Sequence, residues 1–452
     1  MAEQVDVVVV GLGVGGEETA GRLAQAGLRV VGIESRLVGG ECPYYGCIPS
    51  KMMIRAANLI AEARRVDGMA GSATVQPDWS PVAKRIREEA TDTWNDQVAV
   101  DRLVNKGATV IKDVATITGP RTVSAGGTEY EATRGIVIAT GTVPSAPPID
   151  GLAGTPYWTN REAIEVETLP TSMVILGGGA IGMELAQVFA RFGVQVTVVE
   201  GAPEVLPMEE PESGALAREA LERDGVTFSL GAHAQQVGYG DGGFTVRLAD
   251  GKSVTGEKLL VATGRRVATA DLGLDKLGLD PSARRIEVDE HVRAGDKVWA
   301  VGDVTGVGAF THNAMYQADI AVRDILQEPD APTASYHAMP RVTFTDPEIG
   351  AVGMTEKQAR DAGLTVQTGS SPIPASTRGW IHKAGNDGFI KLVLDADRGV
   401  LVGATSAGPT GGEVLSALAV AVHAAVPVRT LRQMIYAYPT FHRAISEALK
   451  TV

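Results

Sequence analysis

Val5 to Val10 is an apolar run broken only by Asp6, and it leads into GLGVGGEETAGRLAQAGLRVVGIE, residues 11–34. A near-continuous run of β-branched residues predicts a strand buried on both faces. The helical spacing that follows predicts a helix to about Ala26, and a second apolar run predicts a strand ending at Glu34. Residues 174–200, VILGGGAIGMELAQVFARFGVQVTVVE, repeat the order strand, helix, strand and end at Glu200. Two further apolar runs each close on Ala-Thr-Gly, in GIVIATGTVPSAPPIDG and LLVATGRRVAT, and a third, VWAVGDVTG, ends at Gly302-Asp303. From about residue 334 the texture changes to PRVTFTDPEIGAVGMT, then alternating strands and a helical tail, the pattern of a separate α+β domain. APTAS, residues 331–335, is the best linker candidate.

Each βαβ unit carries G-x-G-x-x-G at its strand–helix turn: Gly11, Gly13 and Gly16 in the first, Gly177, Gly179 and Gly182 in the second. One such turn also occurs without any ligand. Two copies, each with strand, helix and terminal glutamate in register, point to two dinucleotide sites. The glycines permit a tight turn and let backbone N–H groups approach a pyrophosphate, and the helix N-terminus adds partial positive charge. Glu34 is placed to accept hydrogen bonds from an adenosine ribose. Glu200 is followed by Gly-Ala-Pro without an arginine, which favours a free 2′-hydroxyl and so NAD over NADP. Gly141 and Gly264 are expected to turn the chain near the two nucleotides, and Asp303 suits a flavin ribityl or phosphate contact.

With 452 residues the chain is too long for one core, so two or three domains are expected. A hydrophobic content of 44% and a charged content of 21% describe a soluble globular protein. The net charge of −13 argues against a nucleic-acid partner. No apolar run approaches the ~20 residues needed to cross a membrane, and the N-terminus lacks a signal-peptide pattern. A cytoplasmic location is expected.

The chain has two cysteines, both in GGECPYYGCIPSKMM, residues 39–53. In a reducing cytosol a close pair such as Cys42 and Cys47 is more often catalytic or redox-sensing than structural. Two thiols are too few for a closed zinc site, and no metal is expected. The bland alternative is a pair of buried thiols packed as small hydrophobes.

In order along the chain, GLGVGG, GGECPYYGCIPSK, ATG, GGGAIGMEL, ATGRR, VGD, FTDPEIGAVG and YPTFHRAISEAL resemble the motifs of the pyridine nucleotide-disulfide oxidoreductases. This flavoprotein disulfide reductase family includes dihydrolipoamide dehydrogenase, glutathione reductase and mercuric reductase. The resemblance implies an α/β fold of two Rossmann-like domains with a C-terminal α+β dimerisation domain. FAD would be held by residues 1–150 and 268–333, NAD(P) by 151–267, and the homodimer by 334–452. It implies that Cys42 and Cys47 form a redox disulfide, Cys47 next to the flavin and Cys42 attacking substrate. Their expected position at a helix start should lower a thiol pKa from its usual ~8.5. Lys51 would lie near the flavin with Glu184 as its partner. Gly40, Thr140, Phe310, Thr311 and His312 join the expected FAD contacts, and Ile181 and Arg265 the remaining cofactor contacts.

The C-terminal motif departs from that pattern. Where lipoamide and glutathione reductases carry a His–Glu acid–base dyad reaching across the dimer, this chain has Tyr438 and Arg443. A general acid–base contributes roughly 10²–10⁴-fold, and tyrosine, with an ordinary pKa of ~10, donates a proton better than it accepts one. Oxidation of a dithiol should therefore suffer more than reduction of an acceptor. His442, one turn away, is a candidate substitute on the expectation that it lies on a helix. Mercuric reductases also have a tyrosine here but use a further C-terminal cysteine pair, which this chain lacks. Pro43-Tyr44-Tyr45 and Glu41 also differ from the family, and the tyrosine rings would either line the thiol approach or pack on neighbouring structure. TRGWIHKAGNDG, residues 377–388, has no assigned role.

The leading expectation is electron transfer from NADH through FAD and Cys42–Cys47 to a disulfide or other small oxidised acceptor. The alternatives are direct reduction of a quinone at the flavin, dihydrolipoamide dehydrogenase or dithiol oxidase activity, mercury-type metal reduction, and a non-catalytic flavin-binding sensor.

Overall fold

The computed structural model describes residues 2–452 and divides into two compact units. Among the described residues the first comprises 2–49, 84–145 and 265–335; the second comprises 50–83, 146–264 and 336–452.

The first unit is built on an eight-stranded sheet. Glu3–Val10 lies at its centre, parallel to Val30–Ile33 on one side and to Thr128–Ile138 on the other. Val7 and Val9 face one apolar cluster while Val5, Val8 and Val10 face another, so both faces of the strand are buried. That is why the valine run is not alternated with polar residues. The helix Val14–Gln25 crosses over between the first two parallel strands, and Thr311–Ile325 packs against it. Arg265–Val267 pairs antiparallel with Thr142–Pro144 within this unit.

A π-helix, Ile86–Ala90, precedes a left-handed turn in which Asp92, Thr93 and Trp94 all have positive φ. Thr93 is β-branched and strained there. The turn ends at Asp96, whose carboxylate accepts from the Val38 N–H at 2.7 Å and from Lys112, fixing the loop that leads to the cysteines.

The second unit holds three sheets. Ser172–Leu176, Gln195–Glu200, Thr227–Leu230 and Lys258–Val261 form a four-stranded parallel sheet, and three strands over residues 234–256 form an antiparallel one. A five-stranded antiparallel sheet runs from Pro340 to Gly408, and its largest apolar cluster is covered by Gly411–His423 and the C-terminal helix. Among the described residues no helix is long and apolar enough to cross a membrane.

Candidate active site

The two glycine turns have the same construction. Gly11 has φ +89°, and a Cβ there would stand 2.5 Å from the Ala139 carbonyl; Gly177 has φ +106° and the same separation from the Ala262 carbonyl. At the third glycine of each turn, Gly16 or Gly182, a Cβ would lie 2.0 Å from the carbonyl of the first. Those positions exclude a side chain for reasons internal to the fold. The middle glycines differ. A Cβ on Gly179 meets nothing within 4 Å, and on Gly13 only the Gly40 Cα at 3.9 Å. The open side of each turn is a cradle shaped for a phosphate group at a helix N-terminus.

Glu34 and Glu200 close their turns in parallel fashion. Glu34 accepts from the Leu12 and Arg36 N–H groups, both at 2.8 Å; Glu200 accepts from Gly178 at 2.6 Å and Ala202 at 2.7 Å. A carboxylate has about four acceptor sites, so each keeps capacity for a ribose. Bracing of the turn by these acids was not anticipated from sequence.

The cysteine loop is zipped onto the first turn. Gly39 donates to the Leu12 carbonyl at 2.7 Å and bridges to Gly13, and Gly40, with φ +70°, passes close to the Gly13 Cα. Cys42 lies in the short helix Glu41–Tyr45, and Gly46 separates it from the long helix Cys47–Arg64. Cys47 is exposed and Cys42 half-buried, both unbridged, and the two thiols interact by a hydrogen bond. Cys47 Sγ is 3.3 Å from Thr311 Oγ1. The expected lowering by the helix start does not hold for Cys42. The hydrogen bond with Cys47 and burial push its thiol well above the usual range, against a smaller opposing contribution from Thr311. Cys42 is not itself the first residue of the long helix, so the dipole acts on it weakly.

Thr140 Oγ1 is buried without a hydrogen-bond partner, and Asp303, held up by burial, accepts from Thr142 Oγ1 at 2.9 Å. An orphaned hydroxyl and the phosphate cradle at Gly13 fit FAD in the first unit. Gly141 has φ +65°. Arg265 donates to Thr142 through Nε at 2.8 Å and lies 3.4 Å from Glu41, among first-unit residues. Phe310, Thr311 and His312 begin the helix Thr311–Ile325, the Phe310 and His312 rings stacking at 5.2 Å. Gly264, at φ +125°, and the exposed Ile181 lie in the second unit.

Lys51 Nζ donates to Glu184 Oε2 at 2.8 Å, the pairing expected from sequence, and sits 4.6 Å from the Phe344 ring centroid. Glu184 is buried, and its second oxygen accepts from the Phe344 N–H at 2.9 Å.

Comparison with known proteins decides the family. The pyridine nucleotide-disulphide oxidoreductase model matches residues 5–318, and the dimerisation-domain model of the same oxidoreductases matches 339–449. The chain is a pyridine nucleotide-disulphide oxidoreductase. It is 36% identical to a dihydrolipoyl dehydrogenase of Halobacterium salinarum over 98% of this chain and 95% of that one. It is 34% identical to one of Thermus scotoductus over 99% and 97%. Among solved structures it resembles the HOCl-induced flavoprotein disulfide reductase RclA of Escherichia coli, as its Cu(II) complex, with TM-score 0.87, 28% identity and full coverage of both chains. It also resembles LpdA of Mycobacterium tuberculosis, with TM-score 0.86, 26% identity and 99% coverage of both. This oxidoreductase is an NAD(P)H-dependent flavoenzyme that uses FAD and NAD(H).

The remaining predicted residues of the oxidoreductase lie in its second unit. Tyr438 is 64% exposed, its hydroxyl 3.5 Å from Thr377 Oγ1, and the Arg443 guanidinium lies 5.4 Å from its ring centroid. His442 is not on a helix: it precedes Ala444–Ala448 and packs its ring 5.0 Å from Tyr436 rather than on Tyr438. Tyr44 is buried and Tyr45 stacks on Trp94 at 6.2 Å, so the rings pack within the first unit. Among the described residues no group of three or more His, Cys, Asp or Glu is placed to hold a metal ion.

Proposed function

We propose that the enzyme carries electrons from NADH through FAD and the Cys42–Cys47 pair to a small disulfide. The observation that carries this reading is the interacting pair of unbridged thiols, one exposed and in contact with Thr311, on the loop zipped to the first glycine turn. A non-catalytic flavin-binding protein needs none of these features, nor the Lys51–Glu184 pair.

The cradle at Gly11, Gly13 and Gly16 with Thr140 and Asp303 would hold FAD, which would supply the two-electron link between the nicotinamide and the cysteine disulfide. The reduced chain then acts through its own thiols. Cys42 thiolate attacks one sulfur of the acceptor, forms a mixed disulfide and releases the first thiolate. Cys47 attacks Cys42 Sγ, restoring the Cys42–Cys47 bond and releasing the second substrate half. Each released thiolate takes up a proton. The Thr311 hydroxyl, at 3.3 Å, is placed to stabilise the Cys47 thiolate. Tyr438, as a proton donor, suits the reductive direction, so dihydrolipoamide oxidation is the slower reaction. The residues at 1–150 and 268–333 would hold FAD, those at 151–267 NADH in preference to NADPH, and 334–452 the homodimer, in the cytoplasm.

The reading predicts that anaerobic NADH makes Cys42 and Cys47 of the oxidised holoenzyme alkylatable by iodoacetamide, two labels per chain by mass spectrometry. Flavin bleaching without new labels would place electron transfer at the flavin alone.

Gly179→Ala tests the second cradle. Its Cβ enters open space in the protein but occupies the face offered to a pyrophosphate. KM for NADH is expected to rise about tenfold, as expected when a phosphate contact of ~1.4 kcal/mol is lost, with an unchanged melting temperature. An unaltered KM would remove Gly179 from the site.

A further inference from the structure

We propose that the physiological acceptor is an anionic disulfide, bearing carboxylate or phosphate groups, whose charge is recognised by Arg443 over Tyr438 and Arg378 over Phe441, with Lys383 at the end of the Arg378 helix. This rests on the reading that Tyr438 stands at the acceptor.

The stretch 377–388, without a role in the sequence, packs in the structure against the C-terminal turn. Its helix Thr377–His382 brings Thr377 to the Tyr438 hydroxyl and places the Arg378 guanidinium 5.3 Å from the Phe441 ring centroid. His382 meets the same ring nearly edge-on at 5.4 Å. With Arg443 over Tyr438, two guanidiniums stand over aromatic rings of the C-terminal turn.

Arg378 and Arg443 lie over rings rather than beside acids, and Arg443 also donates through Nη1 to the Tyr436 carbonyl at 3.4 Å. Among the described residues, Arg378, Lys383 and Arg443 have no carboxylate within 4.0 Å, and Arg378 donates no hydrogen bond to another residue. Arg191, Arg341 and Lys391, by contrast, are each satisfied by carboxylates. A guanidinium steadied over a ring keeps its planar fork of donors available, the geometry that binds carboxylate or phosphate bidentately. Trp380, 75% exposed on the same helix, offers an apolar face to the body of such a molecule. A neutral amide disulfide uses none of this. The replacement of the family's glutamate by Arg443 acts in the same sense, turning the charge beside Tyr438 from negative to positive.

The test compares two aromatic disulfides in the NADH-driven reaction of the holoenzyme: dianionic 5,5′-dithiobis(2-nitrobenzoate) and neutral 4,4′-dithiodipyridine. Each kcat/KM is normalised to the rate of the same disulfide with free dithiothreitol. The anionic-to-neutral ratio is expected to fall about tenfold in Arg378→Gln and severalfold in Lys383→Asn. It should also fall in the wild type as salt rises from ~20 to ~300 mM. A ratio that neither variant nor salt moves overturns the proposal. So does an unchanged ratio accompanied by dissociation of the dimer in sedimentation, which would make the patch a contact with a second copy. Cys42→Ser separates this from the thiol relay. Disulfide turnover that survives in Cys42→Ser counts against the relay, whereas an unshifted ratio in Arg378→Gln counts against charge recognition alone.

Discussion

Cys42→Ser is expected to lower kcat for disulfide reduction by about 10³-fold or more, the scale of losing a catalytic nucleophile. Serine cannot form the mixed disulfide and has no thiolate to offer. The wild-type reaction should also carry a pH signature. Cys42 is pushed above the usual thiol range by its hydrogen bond with Cys47 and by burial. Its attacking form therefore becomes scarcer at neutral pH, and acceptor reduction should climb with pH beyond the ordinary thiol pKa of ~8.5 without levelling. Stopped-flow reoxidation of the NADH-reduced enzyme by a disulfide reads this step directly. A plateau reached below pH 7 would show that the attacking thiol is instead activated.

Arg191→Leu is expected to destabilise the second unit by about 3 kcal/mol, the low end of the cost of breaking a buried ion pair, because the half-buried Asp224 and Asp346 lose a buried guanidinium but Asp346 keeps Arg65. The Arg191 side chain is 2% exposed. Its Nε donates to Asp224 at 2.8 Å, Nη2 to Asp346 at 2.8 Å and Nη1 to Asn58 at 2.7 Å. Arg65 is the second partner of Asp346, at 2.7 Å. Burial alone would raise the Asp346 pKa, but the two guanidiniums overcome it and hold the carboxyl below the usual range. A depressed folded-state pKa stabilises above the unfolded value, about 4, and that stability is lost as pH falls through the lower folded value. Removing Arg191 should therefore move acid unfolding to higher pH. Urea midpoints at pH 7 and the acid transition, both followed by circular dichroism, check the two parts; a change in midpoint equivalent to less than ~1 kcal/mol would make the network dispensable.

Local pattern made both glycine turns and the cysteine pair legible in the sequence, because each is a short segment whose chemistry lies within thirty or so residues. The Lys51–Glu184 pair was reached through family likeness, not spacing. What stayed hidden depends on contacts between remote segments. Nothing in TRGWIHKAGNDG indicates that Thr377 meets Tyr438, 61 positions away. Nor does sequence reveal that Gln187 and Arg191 would grip Asp346 from the same helix as Glu184. The expectation about Cys42 failed for a related reason. Helix position was readable, but the hydrogen bond with Cys47 and the burial that outweigh it are tertiary. The left-handed turn at Asp92–Trp94 has no glycine to announce it, and only packing fixes its conformation.

Glu34 and Glu200 each clamp one backbone N–H of the glycine turn and one just beyond their own strand, so each turn is tied to the neighbouring strand end by the protein alone. Ordering a backbone residue costs about 1–2 kcal/mol, and here that entropy is settled at folding rather than at encounter. A dinucleotide thus meets a rigid receptor, and its association should follow simple one-step kinetics with little loop rearrangement.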